Sequence, residues 1–184
     1  MKALLLALLF LFAVPSASHV LAESARAERL DRLFERLKTA PDDASAERTS
    51  QAITAIFRET SSPTAELLME RAGAAMAVGE HADALDILDT LIDQQPEYTE
   101  AVNRRATVYY LLGELDKAAA DIDEVLKAEP RHFGALAGLG LVRRAQGREV
   151  EALKAFRAAL AVYPRMKGAS DAADALARKL ERNI

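Results

Sequence analysis

The side chains in this sequence best suited to acid–base or metal chemistry are three histidines, His19, His81 and His132, and several groups of carboxylates. A helix offers zinc two ligands when they stand at i and i+4, as in an HExxH pattern, and neither His81 nor His132 has such a companion. A catalytic imidazole also needs a partner to hold it, and none is evident, so both are expected at the surface. Asp83, Asp86, Asp89 and Asp93, and later Asp121, Asp123 and Glu124, read as charged stripes. A stripe supplies neither a pocket with separated proton affinities nor a loop with calcium-ligand spacing. The stretch from Gly134 through Gly138 to Gly140 lacks both the Lys-Ser or Lys-Thr of a phosphate loop and the spacing of a dinucleotide site. Cysteine is absent, which removes a thiol nucleophile, a thiolate zinc site, a disulfide framework and a lipid-modified N-terminal Cys. No catalytic, metal or cofactor-binding residue is assigned, and the expected function is binding without turnover.

The elements that carry these residues follow from a repeat. Pro96, Pro130 and Pro164 recur 34 residues apart, as do Gly79, Gly113 and Gly147, and Ala84, Ala118 and Ala152. Three landmarks in one register define a supersecondary unit repeated in tandem. Within each unit a helical pattern runs to the Gly, a turn follows, and a second helical pattern carries the Ala and stops before the Pro. Gly closes a helix in the left-handed conformation, and Pro cannot continue one. Leu68 and Ala72 with Ala84, Leu88 and Leu91, then Val102, Ala106 and Tyr109 with Ala118, Ile122 and Val125, then Leu136 and Gly140 with Ala152, Phe156 and Ala159, form the facing stripes of three helix pairs. The acidic stripes fall on second helices and are expected on a solvated convex face. Abundant Ala and Leu agree with an all-α chain.

Units 65–98, 99–132 and 133–166 resemble tetratricopeptide repeats, with Leu139-Gly140 and Phe156 at typical places. Arg71 and Arg105 replace the usual Leu, and Ala75 and Arg143 a usual large residue; an Arg stem can cover apolar surface while its charge stays in water. The resemblance implies a right-handed α-solenoid whose first helices line a concave surface that receives a peptide or a partner helix. In this register that surface comprises Met69, Gly73, Met76, Asn103, Arg104, Thr107, Tyr110, Leu141 and Arg144. Met76, Tyr110 and Leu141 suit an apolar side chain, and Asn103, Arg104 and Arg144 a backbone or carboxylate. Family repeats that clamp an acidic chaperone tail use Lys and Asn where Met69 and Gly73 stand, so that ligand is not expected.

Residues 23–63 are read as an N-terminal helical pair, taken as a degenerate repeat, with Leu30, Leu33, Phe34 and Leu37 at helical spacing before Pro41, and Ala46, Ile53, Ile56 and Phe57 after it. An unrelated helical cap is the alternative for this pair. Residues 167–184 place Ala173, Leu176, Ala177 and Leu180 on one face, suiting a helix that covers the last repeat. Residues 1–22 are expected to be a signal peptide: Lys2, an apolar run from Ala3 to Val14 too short to span a bilayer, then Val20-Leu21-Ala22 and a cut after Ala22. An uncleaved anchor is the alternative. The expected location is periplasmic or secreted. A formal charge of −4 disfavours nucleic acid as a partner, since phosphate binding needs a positive field. The expected partner is a protein or peptide; the alternative role is a structural homo-oligomer formed through the repeat ends.

Overall fold

A computed structural model describes residues 17–182. Among them lie α1 (Ala17–Lys38), α2 (Asp43–Phe57), α3 (Pro63–Ala77), α4 (His81–Gln94), α5 (Thr99–Leu111), α6 (Leu115–Ala128), α7 (Phe133–Ala145), α8 (Glu149–Val162) and α9 (Lys167–Glu181), with no strand among the described residues. The apolar run Ala3–Val14 lies outside the described residues, and the expected cut after Ala22 falls within α1. Among the described residues no helix is long and apolar enough to cross a membrane.

Helices α3–α4, α5–α6 and α7–α8 form three successive antiparallel pairs, each packed on the next, and α9 covers α8. The two kinds of connection have distinct causes. Gly79, Gly113 and Gly147 take φ of 82°, 77° and 74°. The following amides then reach back to the helix they close, Glu80 to the Ala75 carbonyl at 2.9 Å, Glu114 to Tyr109 at 2.9 Å and Arg148 to Arg143 at 2.8 Å. This is the bond pattern of a helix ended by a left-handed residue. The proline loops close differently: the amides of Tyr98, His132 and Met166 donate to Gln95, Glu129 and Tyr163 at 3.0, 3.0 and 3.1 Å, with Pro as the second residue of each turn. Helices of 13 to 15 residues hold these two sets of connections on opposite edges of the solenoid, about 20 Å apart.

Small residues set the helix spacing within each pair. Ala72, Ala84, Ala118, Ala152 and Ala159 are fully buried beside Leu88, Leu91, Val125 and Phe156. A Cβ on Gly140 would lie 2.6 Å from the Phe156 ring, so the backbone approach there needs glycine. Arg105 differs from a simple snorkelling residue. Its guanidinium donates twice to Asp121 and once to Asp89, each at 2.8 Å, tying α6 and α4 together through α5. Its hydrogen bonds to Asp121, and then to Asp89, hold its proton more firmly than usual. Asp121 is therefore buried, correcting the expectation that the whole acidic stripe is solvated. An arginine on the neighbouring helix brought that carboxylate inside.

The α1–α2 pair does not pack on α3 as α4 packs on α5. It lies along the proline-loop edge instead. Leu30, Phe34, Leu37, Ala46, Ile53 and Ile56 share one core with Phe133 and Tyr163. Each loop is gripped in turn. Tyr98 donates its hydroxyl to the Arg58 carbonyl at 2.9 Å. Arg131 pairs with Asp31 at 2.7 Å and lies over the Phe34 ring at 4.3 Å. Arg165 bonds Asp43 at 2.7 Å and the carbonyls of Ala40 and Pro41 at 2.9 and 2.6 Å. The hairpin thus braces three repeats from the side.

Candidate functional site

The first helices α3, α5 and α7 line two neighbouring cavities. One, of about 440 Å³, is bounded by Gly73, Met76, Ala77, Glu100, Asn103, Arg104, Thr107 and Leu111. The other, of about 70 Å³, is bounded by Asn103, Thr107, Tyr110 and Leu141 together with Ala106, Ile122, Gly134, Gly138 and Val142. Asn103 and Thr107 belong to both, so α5 forms the ridge between them. Seven of the nine groove positions named from sequence, Gly73, Met76, Asn103, Arg104, Thr107, Tyr110 and Leu141, come together here. Met69 does not. It is 4 % exposed within the α3–α4 core, because its register points into the helix pair. Arg144, in the last turn of α7, is exposed and borders neither cavity.

Glycines shape this floor. A Cβ on Gly73 would meet Nη1 of Arg104 at 2.7 Å, so a side chain at residue 73 would displace the guanidinium from its present place across α3. Arg104 Nη1 reaches the Met69 carbonyl at 3.4 Å, a weak bond, and no ion pair holds it among the described residues. Burial lowers the proton affinity of its guanidinium, and the nearby Glu100 charge opposes that shift. A partly desolvated cation with little local satisfaction favours an anionic or carbonyl ligand.

Beneath the groove lies a polar chain that sequence reasoning missed. Glu100 Oε2 accepts from Asn103 Nδ2 at 3.2 Å and stands 3.2 Å from His132 Nε2. His132 Nδ1 accepts the Ala135 amide at 3.0 Å and so caps α7, which leaves the ring proton of the neutral imidazole on Nε2, donated to Glu100. The His132 ring stacks on Phe57 of the hairpin at 4.5 Å. His132 is 5 % exposed and Glu100 8 %, which corrects the expectation of a surface histidine. The repeat register held a usable signal: His132 stands 34 residues after Tyr98 and 34 before Met166, positions that enter successive first helices. Glu100 had no such marker, since its donor His132, 32 residues away, reaches it only when the start of α7 is in place. Among the described residues no group of three or more His, Cys, Asp or Glu side chains is arranged to hold a metal ion.

Comparison with known proteins bears on this geometry. A family model for the tetratricopeptide repeat matches residues 69–125 and 104–167. A TPR repeat-containing protein of Rhizobium etli is 38 % identical over 162 residues, spanning 88 % of this chain and 79 % of that protein. Among solved structures, the Sgt2 TPR domain from Aspergillus fumigatus superposes with a TM-score of 0.63 at 23 % identity, covering 66 % of this chain and 82 % of the domain. The first TPR of Spaghetti (RPAP3), bound to the HSP90 peptide SRMEEVD, gives a TM-score of 0.62 at 21 % identity, covering 66 % of this chain and 97 % of the other. With three helix pairs in a 34-residue register, glycine-closed first helices and a family match across all three, this chain belongs to the tetratricopeptide repeat family.

Proposed function

We propose that the chain is a non-enzymatic adaptor that binds an extended segment or helix of another protein along α3, α5 and α7. The carrying observation is that the two cavities adjoin across the Asn103–Thr107 ridge of α5, with apolar Met76, Tyr110 and Leu141 and the half-buried cation of Arg104 among their lining. This pairing suits a segment with one apolar anchor and an adjacent carboxylate or free carbonyl. A fold neighbour described with a bound peptide supports the reading at the level of the fold.

The expected address of this adaptor is the cell envelope or beyond, from the N-terminal pattern ending at Ala22. Cleavage there leaves α1 from Glu23 onward, which retains Leu30, Phe34 and Leu37 for the brace. An alkaline-phosphatase fusion after residue 30 should be active; an inactive fusion retires the export reading.

The groove reading is tested by affinity capture from the native host. Thr107→Arg places a long cation where both cavities meet, and Ala120→Arg makes the same charge change on the exposed side of α6. The expected outcome is a protein retained by the wild type and the α6 variant and lost by Thr107→Arg. A partner retained equally by all three overturns the groove assignment.

A further inference from the structure

The turn edge of the solenoid carries an uncovered apolar row. Val78 is 71 % exposed, Leu112 46 % and Val150 69 %, one beside each of the three glycine turns. Val78 and Leu112 stand 34 residues apart, and Val150 follows Gly147 by three. The opposite edge is covered by α1–α2 and the C-terminal end by α9; of the other exposed large apolar side chains of the repeats, Leu111 lies beside this row and borders the groove, and Leu67 stands alone in the first turns of α3.

Charge along the same axis is strongly graded. Residues 65–98 carry eight carboxylates and one cation, formally −7; residues 99–132 carry seven and five, formally −2; residues 133–166 carry two and six, formally +4. The gradient reaches the turn edge itself. Glu80 and Asp83 are exposed beside the first turn and have no ion pair among the described residues, while Arg144 beside the third is exposed and likewise without one. Arg148 lies next to it, already shared with Glu151 at 2.5 Å.

We propose that the turn edge is a docking surface for a second copy of this chain, in an antiparallel two-fold dimer centred on Leu112. The geometry selects this occupant. An axis through the middle repeat brings Val78, Glu80 and Asp83 of one copy opposite Val150, Arg144 and Arg148 of the other, twice by symmetry. A parallel arrangement sets two −7 repeats side by side, which repel. An end-to-end arrangement leaves the apolar row uncovered. The groove stays open on both copies, so this dimer and the proposed groove ligand are independent.

The chain has no cysteine, so single cysteines report on this edge without background. In the full chain, Leu112→Cys should crosslink to itself with a short bismaleimide. Glu80→Cys and Arg144→Cys should each remain single when made alone and crosslink when the two are co-expressed. The charge test is independent of side-chain reach: Glu80→Arg with Asp83→Arg should weaken the dimer seen by sedimentation about tenfold, and adding Arg144→Glu and Arg148→Glu should restore it to within about threefold. Self-crosslinking of Glu80→Cys, or absence of any Leu112→Cys crosslink together with a monomer up to roughly 1 mM, overturns the proposal.

Discussion

The two edges of this solenoid are built from the same 34-residue register and have opposite fates. At the proline loops, Tyr98, His132 and Tyr163 are buried against the α1–α2 hairpin. At the glycine turns, nothing lies within 4 Å of the position a Cβ would take on Gly79, Gly113 or Gly147. One edge is therefore held by tertiary packing and the other by local backbone conformation alone. The difference teaches how a short repeat array is stiffened: three repeats contact mainly their neighbours, and a side brace touching all three loops links the first repeat to the last.

The largest expected break is on the loop edge. Phe34 is 5 % exposed in the hairpin core, and Phe34→Ala should cost about 3–5 kcal/mol of hairpin docking. Hydrogen exchange should then rise across α1 and α2 while the α3–α8 helices keep their protection. Uniform loss of protection would mean that hairpin and repeats unfold as one unit.

Next comes the turn edge. Gly113 has φ of 77° and open space around it, so Gly113→Ala is opposed by conformation and not by a clash. Urea unfolding should show a loss of about 1–2 kcal/mol. A smaller effect is expected at Arg165, whose side chain is 38 % exposed while it bonds Asp43, Ala40 and Pro41. Arg165→Ala should cost about 1 kcal/mol, reduced in high salt. Least of all is Leu112→Ser: at low protein concentration, unfolding should change by less than about 1 kcal/mol, because the residue is already 46 % exposed within one copy.

What was legible in the sequence follows the same division. Glycine and proline act through their own backbone restrictions, so the helix pairs and their turns could be read from Gly79, Gly113, Gly147 and the three prolines. Gly140 was legible too, because bulky Phe156 stands on the facing stripe of the second helix in the same unit. The docking of α1–α2 was not, since Arg131 meets Asp31 across 100 residues and Arg165 meets Asp43 across 122. Hydrophobic periodicity shows that Leu30, Phe34 and Leu37 need cover, but not what covers them. The same limit applies to His132, Glu100 and Asp121: Phe57 stacks on His132 from the hairpin, His132 itself reaches Glu100 from the start of α7, and Arg105 reaches Asp121 from α5. Most of the groove positions were readable because first helices repeat their faces. Met69 was misplaced by the small rotation that turns a groove position into a core one.

The most direct test of the account is photocrosslinking in intact cells, with p-benzoylphenylalanine replacing Tyr110 in the groove or Asp123 on the exposed side of α6. Adducts to a protein partner should form from Tyr110 and not from Asp123. Adducts from Asp123 with none from Tyr110 would contradict the assignment of binding to the first helices.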